Sequence, residues 1–439
     1  MAGEWVEKTI DDISDVIGGS TPSTRNPANF DGDIPWLTPK DLAGPHPRYV
    51  SHGKRNLSYE GLKNCSAQLL PKNSVLLSSR APIGYIAIAA NPIATNQGFR
   101  SLIVKPGYDH EFIYYWLSAN VEELERHATG STFKELPGSV LKQIRIRLPI
   151  DITEQQAIAH ILGTLDDKIE LNRRMNKTLE EMARAIFKSW FVDFDPVHAK
   201  AAVRREHPKW TDEQVSRAAC PKLKPEISAL FPDSFEDSEL GPIPKGWRIE
   251  TLANLCEKPQ YGYTASASNE PIGPQFLRIT DINKQAWIEW QNVPFCYINK
   301  KNHIKYALHK GDILIARIAD PGHGTMIEEN VNAVFASYLI RFRPKKPEFE
   351  RFLQYWLRSE NYWDLVRAQQ SGTTRANLNA QILEGFSLIT PESQVLKFFS
   401  SQVEGLRNKI LANVRESNTY GTIRDKLLPK LIRGHIRLT

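Results

Sequence analysis

Between residues 153 and 190 the apolar positions recur in two interleaved series spaced seven apart. One carries Ile158, Leu165, Asn172, Leu179 and Ile186, and the other Leu162, Ile169, Asn176, Ala183 and Trp190. No proline interrupts the stretch and Glu, Lys, Arg and Leu dominate it, so propensity and pattern both predict one long helix with a coiled-coil seam. At 1.5 Å of rise per residue such a helix is about 55 Å long. A rod of that length cannot bury its stripe alone. A second one lies 241 positions later, with Phe399, Leu406, Asn413, Tyr420 and Leu427 in one series and Val403, Ile410, Ser417 and Arg424 in the other. It is predicted from about 394 to 428, where Pro429 is expected to end it. Asn172 falls on Asn413, Ile169 on Ile410 and Leu165 on Leu406. An Asn in a seam costs stability but disfavours slipped registers.

The blocks around these helices have a different texture. Up to about residue 150, short apolar runs at 34–37, 74–79, 85–90 and 100–104 alternate with Gly, Pro and Asn, as strands of an irregular sheet do. Residues 112–128 carry aromatics and leucines at helical spacing, predicting one helix on that sheet, and 143–149 alternate like a last strand. Tyr114, Tyr115, Trp116, Tyr355 and Trp356 share this helical spacing, which assigns them to core packing rather than to base stacking. From 193 to 246 the pattern weakens into Pro- and charge-rich sequence, read as an ordered linker with short helical pieces at best.

Residues 247–391 then repeat the first block. Trp247 stands in the place of Trp5, Leu277 of Leu37, Asp281 of Asp41, Lys310 of Lys72 and Leu314 of Leu76. The triplet YWL recurs at Tyr115–Leu117 and Tyr355–Leu357, and GST at Gly130 becomes GTT at Gly372. The matches keep their order and nearly their offset over the whole block, so the helices belong to a repeat rather than to two unrelated amphipathic surfaces. The expected fold is α+β. Two repeated mixed α/β domains, 1–150 and 247–391, are separated by a long helix at 151–192 and a linker at 193–246, with the second long helix at 392–439. Repetition of a domain-plus-helix unit implies a pseudo-two-fold object whose helices pack as an antiparallel coiled coil.

Composition narrows the class without naming a function. At 439 residues the chain exceeds what one core supports. Apolar content of 41% and charged content of 24% are those of a globular protein, and no apolar run is long enough to span a bilayer. The first ten residues hold no signal-peptide core, so a cytoplasmic protein is expected, without membrane attachment. Cys65, Cys220, Cys256 and Cys296 are too far apart for a local metal knuckle. The net charge of +6 mildly favours a polyanionic partner.

Two related but unlike domains held apart by a rod can read two unlike targets. Two-fold proteins read duplex half-sites about 34 Å, one helical turn, or more apart, so a split DNA site with an unread spacer is expected. Phosphates take Arg, Lys, Ser, Thr and amides, guanine takes Arg or Lys, and adenine takes Asn or Gln. In the first domain the loops supply Ser20, Thr21, Arg25, Arg80, Asn96, Gln97, Arg100, Ser131, Thr132 and Lys134. In the second they supply Tyr261, Tyr263, Arg278, Arg317 and His323, and then Thr373, Thr374, Arg375, Asn377 and Asn379 in the loop 371–379, the strongest single candidate.

Catalytic signatures do not fit. An adenine methyltransferase needs Asn/Asp-Pro-Pro-aromatic, but Asn26-Pro27 is followed by Ala28 and Asn91-Pro92 by Ile93. There is no GxxxxGK[ST] phosphate loop. Asp233, Glu236, Asp237 and Glu239 lack the lysine of a nuclease cluster and read as a solvated acidic segment, and His303, His309 and His323 lack metal-site spacing.

The domain and helix order, Leu148, Pro149, Glu154 and Gln155 at the start of the first helix, FVDFDPVHAK at 191–200 and LFPDSFEDSELGPIPKGW at 230–247 together resemble the specificity subunit of type I restriction-modification systems. The resemblance spans the chain. It implies two target recognition domains, each reading half of a bipartite site in double-stranded DNA, and helices that dock methyltransferase subunits, with restriction subunits joining the full complex. It implies a non-catalytic chain that binds no cofactor itself, S-adenosylmethionine, ATP and Mg belonging to the partner subunits. The alternatives are a stand-alone DNA-binding or scaffold protein and, more remotely, an enzyme with an unrecognised site.

Overall fold

The computed structural model describes residues 4–44, 46–130, 134–283, 285–370 and 378–437. Two compact units divide the chain: residues 1–172 with 416–439, and residues 173–415. Each unit therefore holds one mixed domain and a stretch of both long helices.

In the first unit Trp5–Thr9 pairs antiparallel with Arg145–Pro149, and Thr9 and Asp12 form a capping box on the turn Ile10–Ile13. The chain then enters a five-stranded sheet ordered Ser14–Gly18, Arg100–Val104, Val75–Ser79, Ile83–Ala89, Tyr49–Val50. A second sheet joins Arg55–Leu57, Phe30–Leu37 and Ala94–Thr95. The helix expected over 112–128 is two helices, His110–Ala119 and Val121–Arg126. Asn120 separates them because its side-chain amide donates to the Trp116 carbonyl at 2.7 Å while its backbone leaves the helical region. Phe112, Tyr115 and Trp116 are buried with Val75, Leu77 and Leu102, against Ile158 and Leu162 of the first long helix and Leu431 and Ile432 of the second.

The second unit repeats this order. Arg248–Thr251 pairs with Ser387–Thr390, the central sheet runs Gln260–Tyr261, Leu339–Phe342, Ile313–Ala316, Gly324–Met326, and Gln275–Leu277 pairs parallel with Ala333–Phe335. Helices Glu348–Trp356 and Glu360–Gln370 follow. Tyr355 and Trp356 lie in an aromatic core with Phe187, Trp190, Phe191 and Phe399 from the long helices. The segment after the first long helix is more ordered than its composition predicts. It folds into Asp195–Glu206, Asp212–Ala219 and a short hairpin, and Val197, Ile227 and Phe231 join the same core. Lys200 fixes this segment by donating to the Ser228 carbonyl at 3.1 Å and the Phe231 carbonyl at 2.5 Å.

The long helices are Ile152–Phe191 and Ser393–Ile432. They pair antiparallel within each unit: Asn172 meets Glu416 and Ser417 in the first, and Asn176 meets Asn413 in the second. With the 241-residue offset, the pair 172–417 corresponds to the pair 413–176, so the helix pairing itself carries the repeat. Ile158, Leu162, Asn172, Phe399, Val403, Ile410 and Asn413 are buried, whereas Leu165, Ile169, Leu179, Leu406 and Leu427 are half-buried. Pro429 does not end the second helix as expected. One more turn is held by Leu431 and Ile432 in the first domain's core, and the carbonyl that Pro429 leaves without its helical donor belongs to exposed Asp425. The helix stops at Gly434, whose φ of +69° is a left-handed cap.

Candidate nucleic-acid interface

Both domains build one backbone frame where the candidate residues lie. In the first, the amide of Ser20 donates to Thr95 at 2.9 Å, Asn96 to Leu37 at 2.9 Å, Ser79 to Gly98 at 2.7 Å and Leu136 to Ser79 at 2.9 Å. In the second, Tyr263 donates to Phe335 at 2.8 Å, Ala336 to Leu277 at 2.9 Å, Arg317 to Tyr338 at 3.0 Å and Leu378 to Arg317 at 3.0 Å. Gly19 and Gly262 make the crossing possible, since a Cβ would lie 2.1 Å from the Asn96 oxygen or 2.2 Å from that of Ala336. The turn after the central strand also repeats, with Ala81 at φ +52° and Ala319 at φ +64°.

On this common frame the side chains differ. Ser20 is replaced by Tyr263, Asn96 by Ala336, Gln97 by Ser337, Ser79 by Arg317 and Thr38 by Arg278. The backbone geometry is shared between the domains while the polar side chains, with their donor and acceptor patterns, differ.

The first domain gathers its candidates into two groups. Thr21 hydrogen-bonds Gln97, Asn96 accepts from the Gly98 amide at 2.9 Å, and Ser20 is tied to the same strand by its backbone. Arg100 donates to Glu135 at 2.9 Å, and Arg80 lies 3.5 Å from that carboxylate's other oxygen. Two guanidiniums on one carboxylate leave a net positive charge, with exposed Lys134 next to it. Arg25 is exposed and belongs to neither group.

In the second domain Arg317 lies over the Tyr261 ring at 5.2 Å, and its Nε is buried with no hydrogen-bond partner among the described residues. The Tyr261 hydroxyl accepts from the Ala380 amide at 3.0 Å, and Tyr263 packs on Tyr306 with centroids 5.4 Å apart. Arg278 is held by both oxygens of Asp281, at 3.0 and 2.9 Å, and that hydrogen bonding raises its pKa. His323 Nδ1 lies 2.9 Å from Asp320. Asn379 caps the helix Ala380–Glu384 by accepting from the Ile382 amide at 2.9 Å. Tyr263, Phe276, Arg278, Asn283, Ser337 and Tyr338 line a groove of about 560 Å³. Gln97 bridges to Thr21 in the first domain, whereas its shorter counterpart Ser337 leaves this space open. Ser131, Thr132, Thr373, Thr374, Arg375 and Asn377 lie outside the described residues.

The residues that reasoning from contact types misses are the acidic anchors Glu135, Asp281 and Asp320. One signal was available: Thr38-x-x-Asp41 and Arg278-x-x-Asp281 have capping-box spacing, and both carboxylates accept from the amide three residues back at 2.8 Å.

Buried polar groups join each domain to its stretch of the helix pair. In the first unit Tyr115 donates to Asp166 at 2.6 Å, Arg424 donates to the same carboxylate at 2.6 Å, and Arg48 donates to Tyr115 at 2.7 Å and to Asp167 at 3.1 Å. In the second, Glu180 receives Arg407 at 2.6 Å, Arg358 at 2.6 Å and Tyr355 at 3.3 Å. Arg407 also binds Glu328 at 2.8 Å, and Arg351 links Glu328 with Glu404. Burial opposes ionisation of Glu328, but the hydrogen bond and charge of Arg407, with those of Arg351, hold its pKa down to about 2. Burial, with Asp166 alongside, pushes the Tyr115 hydroxyl up, and burial, with Glu180 alongside, pushes Tyr355 up to about 12.

Among the described residues no group of three or more His, Cys, Asp or Glu side chains is placed to hold a metal, and no helix is long and apolar enough to cross a membrane.

The type I restriction modification DNA specificity domain matches residues 2–181 and 244–414. The MjaIX specificity subunit of Methanocaldococcus jannaschii, a type I restriction enzyme component, is 34% identical over 99% of this chain and 94% of its own length. The HindI specificity subunit of Haemophilus influenzae is 28% identical over 74% of this chain and 77% of its own. A type I restriction-modification S subunit structure from M. genitalium superposes with a TM-score of 0.57 at 16% identity, covering 98% of this chain and 96% of that one, and so shares the fold. The chain belongs to the type I restriction-modification DNA specificity family.

Proposed function

We propose that this chain is the DNA-reading specificity subunit of a type I restriction-modification enzyme. Each domain reads one half of a bipartite duplex site, and the long helices dock methyltransferase subunits, to which restriction subunits add in the full complex. The observation that carries the reading is the repeated backbone frame with unlike side chains, in a chain of this family. Ser20, Thr21, Arg80, Asn96, Gln97, Arg100 and Lys134 face the first half-site, and Arg25, Ser131 and Thr132 are assigned to the same half. Tyr261, Tyr263, Arg278, Arg317 and His323 face the second, with Asn379 and the loop carrying Thr373, Thr374, Arg375 and Asn377. Arginines contribute bidentate guanine contacts, and Asn and Gln the corresponding adenine contacts.

The chain is non-catalytic and acts in the cytoplasm. Its family and the absence of methyltransferase and phosphate-loop motifs support this, and S-adenosylmethionine, ATP and Mg are assigned to the partner subunits. The test is adenine-methylation mapping of the source genome with and without the gene, alongside affinity purification of the chain. Loss of one split motif on deletion, with a methyltransferase co-purifying, is the expected result. An unchanged methylation pattern and no methyltransferase partner would leave a stand-alone DNA-binding protein instead.

A further inference from the structure

The segment that follows the capped turn of each domain is tied to the helix pair by a buried guanidinium, and the polarity is reversed between the domains. In the first, the segment after Thr38–Asp41 supplies the cation. Arg48 reaches the first long helix, donates to Tyr115 at 2.7 Å and Asp167 at 3.1 Å, and lies 3.3 Å from Glu111. Its guanidinium lies on Gly163, where a Cβ would stand 2.5 Å from Nη1. In the second domain, the segment after Arg278–Asp281 supplies the acceptor. The Ala286 carbonyl receives Arg358 at 2.9 Å and Arg407, from the second long helix, at 3.0 Å. Both arginines are simultaneously held by Glu180 on the first long helix.

The apolar clusters already supply each domain with a core. Buried ion pairs add little net stability over apolar replacements, because desolvation offsets most of their attraction, but their directional hydrogen bonds fix geometry. Arg407 is fully buried, and the carbonyl it shares with Arg358 has both lone pairs taken by cations. Each tie lies a few residues beyond the capped turn whose first residue, Thr38 or Arg278, sits on the reading frame.

We propose that Arg48 and Arg407 are positioning residues that latch the capped turn of their own domain to the helix pair, so that the helices set how sharply each half-site is discriminated. The latch rests on the function proposed above and adds to it that the helix pair, besides docking partners, controls base reading in each domain separately.

Gly163→Ala tests the first latch without removing a charge. Its methyl displaces the Arg48 guanidinium, while alanine suits a helix better than glycine, so stability is kept or raised. Arg407→Gln tests the second. A split motif is first selected by the wild-type chain from randomised duplexes, and affinities are then measured for duplexes mismatched in one half or the other, alongside thermal unfolding. Gly163→Ala is expected to lower discrimination in the first half by roughly threefold or more, a partial loss of what one base contact contributes, with the second half and the melting temperature preserved. Arg407→Gln is expected to do the converse to the halves. Unchanged discrimination in Gly163→Ala, or an equal fall in both halves, overturns the latch. A wild-type chain that selects no split motif overturns the function itself, and the latch with it.

Discussion

Asn413 donates its side-chain amide to the Oδ1 of Asn176 at 2.8 Å, with both residues buried between the long helices. Asn176 in turn reaches the Ile410 carbonyl at 3.4 Å. An amide pair buried in a largely apolar seam favours the register in which both amides find partners, because a buried amide left without one costs stability.

Asn413→Leu is therefore expected to cost about 1–3 kcal/mol by leaving the Asn176 carbonyl oxygen buried without its donor. The double change Asn176→Leu with Asn413→Leu should recover most of that loss, because two apolar partners replace two polar ones. Urea unfolding of the two variants checks this. A double variant no more stable than the single one would mean that the amides do not act as a pair.

The Glu328 carboxylate makes the second unit sensitive to acid. Its folded pKa of about 2 lies below its ordinary value of 4.5, so the stability it contributes is present above pH 4.5 and is lost as pH falls toward 2. The contribution at neutral pH is on the order of 3 kcal/mol. Glu328→Gln should destabilise the chain at pH 7 and bring variant and wild type together near pH 2. A difference that stays constant between pH 7 and pH 3 would show that the Arg407 and Arg351 pairs do not govern this ionisation.

These two polar features differ in how far the sequence discloses them. The heptad spacing brings out Asn172, Asn176 and Asn413, and the first helix is placed within a residue at each end, because an uninterrupted apolar series leaves little choice. Glu180 and Arg407 each stand one residue beyond a seam leucine, Leu179 and Leu406, so a reading of seam positions passes over two buried charges, Arg407 fully so. Their burial follows from the docking of the second domain against the helices, which periodicity does not encode. Pro429 misleads for a similar reason, since tertiary contacts of Leu431 and Ile432 outweigh its local cost. In the reading frames, candidate loops are legible as polar punctuation, but which loops converge depends on strand order. That Ser79 and Arg317 hold one place follows from their shared pattern of backbone bonds.

That equivalence makes the domains exchangeable in principle. Replacing residues 1–150 with the corresponding domain of a family member of different specificity should change one half of the methylated motif and leave the other half intact. Single-molecule sequencing of methylated adenines reads both halves at once. A change in both halves would mean that one domain does not read one half.

Arg317 is the sharpest single-residue test of the second surface. Its backbone is fixed on both sides, by the Tyr338 carbonyl and the Leu378 amide, and its guanidinium lies over the Tyr261 ring. A planar cation held over an aromatic face retains its outer N–H groups for a guanine edge. Arg317→Ser, which installs the residue of the equivalent position 79, should weaken binding to the selected duplex by about 1–3 kcal/mol and relax one base of the second half-site. Competition binding against all four bases at each position of that half measures both effects. If Arg317 contacted only phosphate, affinity would fall equally for every sequence and the salt dependence would flatten, with no position relaxed. The two outcomes assign the residue to base reading or to backbone anchoring.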